Sequence, residues 1–162
     1  HDIHVQSWDD TRDFLWQLAE IAPDLEDGTT IIVDTSIAYI SLNYIPFIMG
    51  DLFYDNPSIV LVQSSSVSPG GDVAISINNG DWGFSWRTNY SNAILAYRDL
   101  NGCVQIVNPG LDDINALTIS DRARTIIPEL PDDLSTRILS SPMEDTTLRD
   151  RYFPRPSQLQ CE

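Results

Sequence analysis

An α/β fold is what the hydrophobic rhythm of this chain predicts: an N-terminal helix and a βαβ unit continuing into an antiparallel meander, one mixed sheet with helices packed on it. Three observations carry that reading. Phe14, Leu15, Leu18 and Ile21 recur at helical spacing. A β-branched run, Thr29–Val33, and a continuous apolar run, Ile59–Val62, flank a second helical stretch. From Val73 onward, short strand-like runs alternate with turn residues.

Taken in order, Ser7 followed by Asp10 reads as a capping box at the start of the first helix, and Pro23 with Asp27-Gly28 stops it. Thr29–Val33 is a β-branched run suited to a buried strand. Asp34-Thr35-Ser36 then offers N-cap oxygens to the second helix, over 37–54, the most apolar segment of the chain, with a kink or end expected at Pro46. Such a segment serves as a core helix or as a surface that docks on something else. Asn56-Pro57 turns the chain into Ile59–Val62, and strand, helix, strand at this spacing predicts parallel pairing.

Ser64 to Asp72 is rich in Ser and Gly and reads as a loop. The runs 73–77, 83–87, 93–97 and 103–107 are separated by Asn78-Asn79-Gly80-Asp81, Asn89-Tyr90-Ser91-Asn92 and Asp99-Leu100-Asn101-Gly102, residues that suit hairpin turns. Asn89-Tyr90-Ser91 is also a formal N-glycosylation sequon. Two short helical patches follow, 120–127 and 132–139. The whole of 1–162 reads as one soluble domain, with 143–162 a Pro-rich wrapping tail.

Composition narrows the chemistry. Net charge is -15, with 24 acidic against 9 basic residues, so the surface repels nucleic-acid phosphates and anionic headgroups. All 9 basic residues are Arg, which excludes a Walker lysine, a Schiff-base lysine and a Ser-Lys dyad. The only histidines are His1 and His4; a Ser-His-Asp triad or Cys-His pair would need that terminus folded into a cleft. The same closeness in sequence argues against a copper site at His1. No zinc spacing or calcium loop is present, and no cofactor is expected. Cys103 and Cys161 form a disulfide in an oxidising compartment or stand as two buried thiols.

Several segments taken together resemble a pattern of large bacterial multi-span membrane proteins similar to glycosyltransferases of the dolichyl-phosphate-mannose mannosyltransferase type. They are Phe14-Leu15-Trp16-Gln17-Leu18, Ala22-Pro23, Leu25 and Gly28-Thr29, then Leu42-Asn43-Tyr44, Ile94-Leu95-Ala96-Tyr97 and Gly102–Val107. The likeness covers most of 8–127 and departs at Glu20 and Ile21, where the pattern has an aromatic residue and an Arg. It implies an extracytoplasmic domain following the last membrane helix, with the catalytic acid elsewhere in the polypeptide. The partners implied are the membrane-embedded part of the same polypeptide and a glycan or lipid-linked sugar.

The expected function is therefore a non-catalytic accessory or recognition domain, held at the cell surface through segments outside this sequence. One alternative is a carbohydrate-active enzyme built on two carboxylates, for which Asp34, Asp55 and Asp81 are the candidates and Trp82 and Trp86 the sugar-stacking surfaces. Asp34 has a simpler role as a helix N-cap, and the tryptophans as packing residues. The other alternative is a surface protein that self-associates through exposed strand edges.

Overall fold

A computed structural model of the chain describes residues 2–34, 45–77, 82–134, 136–143 and 146–161. Helix α1 (Asp2–Ile21) leads into the short strand β1 (Asp24–Leu25) and then β2 (Thr30–Val33). Helix α2 (Ile45–Tyr54) precedes β3 (Val60–Gln63); β4 (Asp72–Ile77), β5 (Trp82–Arg87), β6 (Ala93–Arg98) and β7 (Val104–Ile106) follow. The chain closes with α3 (Asp121–Ile126), β8 (Ile138–Leu139) and α4 (Thr147–Tyr152). The fold is α/β, with a four-stranded mixed sheet in the order β3-β2-β6-β7.

The βαβ unit forms as its spacing demands. Thr30 pairs with Val60 and Val33 with Gln63, in parallel register. The described part of the crossover helix starts at Ile45 and continues through Pro46 to Tyr54. Thr35, Ser36 and the helical residues expected over 37–44 lie outside the described residues. Gly50 is required where α2 meets β3: a Cβ there would sit 2.0 Å from the Ile59 carbonyl oxygen.

Side chains alternate across the sheet and feed two cores. Ile31, Val33, Leu61, Ile94, Ala96 and Val104 face Phe14, Leu15 and Leu18 of α1, Phe53 of α2 and Phe153. Ile32, Val62, Ala93, Leu95 and Tyr97 face the opposite way, onto Val67, Val73 and α3. Gln17, only 6% exposed, is buried on α1 together with the polar side chains of Thr11 and Asp13. Its Oε1 accepts the Val104 N–H at 2.9 Å and its Nε2 donates to Asp13 at 2.8 Å. A buried amide thus satisfies edge strand β7, which would otherwise leave backbone groups open.

The later runs sort themselves differently from a single meander. β4 and β5 pair antiparallel with each other, from Asp72 opposite Arg87 to Ile77 opposite Trp82, as a separate ribbon. β6 instead joins β2 in parallel, and only β7 follows it antiparallel. The reason lies in β6 itself: Ala93 to Ala96 are all fully buried, as a strand covered on both faces must be.

Two other expectations shift. α1 runs upstream of Ser7 to Asp2, since no helix-breaking residue precedes Ser7. The helical patch over 132–139 is replaced by a turn and β8, which pairs antiparallel with β1. Pairing of Ile138-Leu139 with Asp24-Leu25 gives the backbone there cross-strand partners in place of helical ones.

Candidate functional site

Asp34 stands one residue past the C-terminal end of β2. Its N–H donates to the Ala96 carbonyl at 2.8 Å, extending the β2–β6 ladder by a step. The chain leaves β2 for β3 on one side and returns as β6 on the other, so Asp34 lies where strand order reverses. Open α/β sheets place their ligand crevices at such points.

The Asp34 carboxylate is held from two sides. Oδ1 accepts the hydroxyl of Ser64 at 2.5 Å and also the hydroxyl of Ser120; Oδ2 accepts the Ser120 N–H at 2.8 Å. The Ser120 hydroxyl oxygen in turn accepts the Ala123 N–H at 3.1 Å and caps α3. One side chain therefore joins the end of β2, the turn after β3 and the start of α3. The expected cap of the second helix by Asp34 falls on a helix start that lies outside the described residues; among the described residues its carboxylate accepts from these serines.

A cleft of about 430 Å³ opens here, lined by Asp34, Gln63, Ser64, Ser65, Thr118 and Arg122 among others. The Arg122 guanidinium donates to the Val67 carbonyl, which fixes it at the cleft wall. Hydroxyls, an amide, a guanidinium and one carboxylate can bind a polar molecule. Among the described residues no second carboxylate and no imidazole or thiol lines the cleft.

The other predicted acids are elsewhere. Asp55 closes α2 in a left-handed conformation (φ 52), tolerable for Asp, and lines a separate cleft of about 310 Å³ with Tyr54, Asp24 and Arg149. Asp34 does not line that cleft, and Asp55 does not line the cleft at Asp34. Paired carboxylates of glycosidases face one cleft, and the structure places Asp34 and Asp55 in two different ones. Asp81 lies outside the described residues, as does His1. Trp82 and Trp86 sit opposite Ile77 and Val73 on the β4–β5 ribbon, and their side chains are outside those described, as is that of His4.

Beside Asp55, burial pushes the Tyr54 phenol far above its ordinary pKa of 10.0, Arg149 opposing and Asp24 adding to the shift. Its hydroxyl donates to the Ala22 carbonyl at 3.2 Å, so it remains a protonated structural donor. Asn89, in an exposed turn, accepts the Ser91 N–H at 3.2 Å and the Ser91 hydroxyl at 2.6 Å.

Cys103 and Cys161 are joined by a disulfide, with Cα atoms 5.0 Å apart. At the positions where the sequence departs from the membrane-protein pattern, Glu20 pairs with Arg155 at 2.6 Å and Ile21 is 41% exposed. Among the described residues, no group of three or more His, Cys, Asp or Glu side chains could hold a metal ion, and no helix is long and apolar enough to cross a membrane.

Sequence reasoning missed Ser64, Thr118, Ser120 and Arg122 as site residues. Ser120 was legible as a helix start, but its contact with Asp34 depends on tertiary packing across 86 positions. Compared with protein-family models, curated proteins and solved structures, the chain matches none.

Proposed function

We propose that this domain is a non-catalytic recognition module of an extracytoplasmic, glycosyltransferase-like membrane protein, and that it holds an uncharged sugar in the Asp34 cleft. The observation that carries the reading is the single carboxylate fixed by Ser64 and Ser120 at the strand-order reversal. A carboxylate ringed by hydroxyls suits the donors and acceptors of a sugar. With no second carboxylate lining the cleft among the described residues, acid and base roles are not both filled. Net charge of -15 disfavours phosphorylated or nucleic-acid ligands, and the disulfide suits an oxidising compartment.

The test is to incubate the purified domain with neutral oligosaccharides and with activated sugar donors. The expected result is saturable binding of the neutral sugars and no hydrolysis or transfer. Turnover by the domain alone refutes the non-catalytic assignment.

The β4–β5 ribbon favours a second reading, self-association through strand edges, because among the described residues these strands form a sheet of their own. Light scattering at monomer mass over a wide concentration range excludes it.

A further inference from the structure

Residues 153–161 leave α4 and cross one face of α1 without regular secondary structure. The Trp16 indole N–H donates to the Phe153 carbonyl at 2.8 Å, and Arg12 donates to the Pro154 carbonyl at 3.2 Å. Arg155 reaches Glu20, and the Gln160 N–H donates to Asp13 at 2.7 Å. Arg12, Asp13, Trp16 and Glu20 lie on one face of the helix. Just beyond, Cys161 is bonded to Cys103 before edge strand β7.

The two ends of this strap are held differently. Phe153 is 1% exposed and packs against Trp8 and Phe53, with ring centroids 5.3 and 5.7 Å away. At the far end Leu159 is buried, but the remaining links are polar: Gln160 to Asp13, and Arg98 to the Gln160 side-chain oxygen at 2.9 Å. The Arg155–Glu20 pair is about half exposed on both sides, where ion pairs contribute little. Both cysteines are partly exposed and line a cleft of about 290 Å³, so a small thiol can approach the bond.

We infer that the Cys103–Cys161 bond is a redox-operated clasp: reduction by a dithiol releases the strap from α1 back to Phe153 while the α/β body stays folded. A thiolate of the dithiol attacks one sulfur, and the other cysteine leaves as a thiolate that takes up a proton. The second thiol of the reductant then resolves the mixed disulfide, so the protein gains two thiols and the dithiol becomes a disulfide. Phe153 is the strap's member of the α1-facing core, which is why the body survives release. Opening uncovers the face of α1 that carries Arg12, Asp13 and Trp16, and frees Arg98 from Gln160. The device is independent of what the Asp34 cleft binds.

Hydrogen exchange on the intact domain, with and without dithiothreitol, tests it, complete reduction being verified by thiol alkylation. The expected result is exchange at the Gln160 amide faster by roughly tenfold or more, with Ile31–Val33 and Ile94–Ala96 keeping their protection. Cys161→Ser is expected to reproduce the reduced pattern; the reduced wild-type domain gives the answer if that variant does not fold. Unchanged protection at Gln160 after complete reduction overturns the clasp. So does loss of protection throughout the sheet, which would make the bond a staple of the whole fold.

Discussion

Asp34 accepts both the hydroxyl and the backbone N–H of Ser120, a residue 86 positions further along the chain. This contact brings the cap of α3 to the C-terminal end of β2 and forms one wall of the cleft. Asp34→Asn is expected to lower stability by about 1–2 kcal/mol, because an amide nitrogen would meet either the Ser120 N–H or the two serine hydroxyls. Urea melts of the two proteins check this, and an unchanged midpoint would show that the serines do not depend on the carboxylate.

Gly50→Ala separates packing from helix propensity. In an open helix alanine stabilises relative to glycine by roughly 0.5–1 kcal/mol. Here the added methyl meets the Ile59 backbone oxygen, which cannot swing aside as a side chain would. A loss of about 1–3 kcal/mol is expected instead, read as a fall in melting temperature. A gain would place α2 farther from β3.

Arg98 donates to Asp10 at 2.7 Å and to Asp13 at 3.3 Å, while Asp13 is only 8% exposed. Arg98→Met should cost about 2–4 kcal/mol by leaving the Asp13 charge without its cation. Combining it with Asp13→Asn should cost less than the sum of the single changes. Strict additivity in chemical denaturation would remove the coupling.

Asp99 makes the turn between β6 and β7 sensitive to acid. The Cys103 N–H at 3.0 Å, the largest cause, and the Asn101 N–H at 2.9 Å hold its carboxyl below the usual 3.8. A depressed carboxyl stabilises the folded turn fully above the unfolded value and loses that contribution as pH falls through the folded value. Between neutral pH and about 5 the turn is therefore expected to be insensitive, and to loosen only in stronger acid. Carboxyl carbon shifts of Asp99 and amide shifts of Asn101 and Cys103 should move together there. Asp99→Asn should abolish the transition.

Much of the fold was legible because it rests on local rhythm. The apolar runs around Ile31 and Leu61 specified a parallel pair, and Ser120 announced α3 through its capping hydroxyl. The partner of β6 was not legible: Ala93–Ala96 reads as a strand in either direction, and its place beside β2 follows from burial on both faces. Asp34 could be singled out by its position after a strand. Ser64, Thr118 and Arg122 could not, since no local pattern distinguishes a serine that meets a distant carboxylate from one facing solvent. β8 was read as helix because its pairing with Asp24-Leu25 spans more than a hundred positions.

The most direct test of the recognition account is an NMR titration of the isotopically labelled domain with neutral disaccharides such as maltose and α-mannobiose. The account predicts saturable shifts of the Ser65, Thr118 and Ser120 amides, abolished by Asp34→Ala. Shifts confined to other surfaces, or shifts at Ser120 that persist unchanged in the variant, would contradict it.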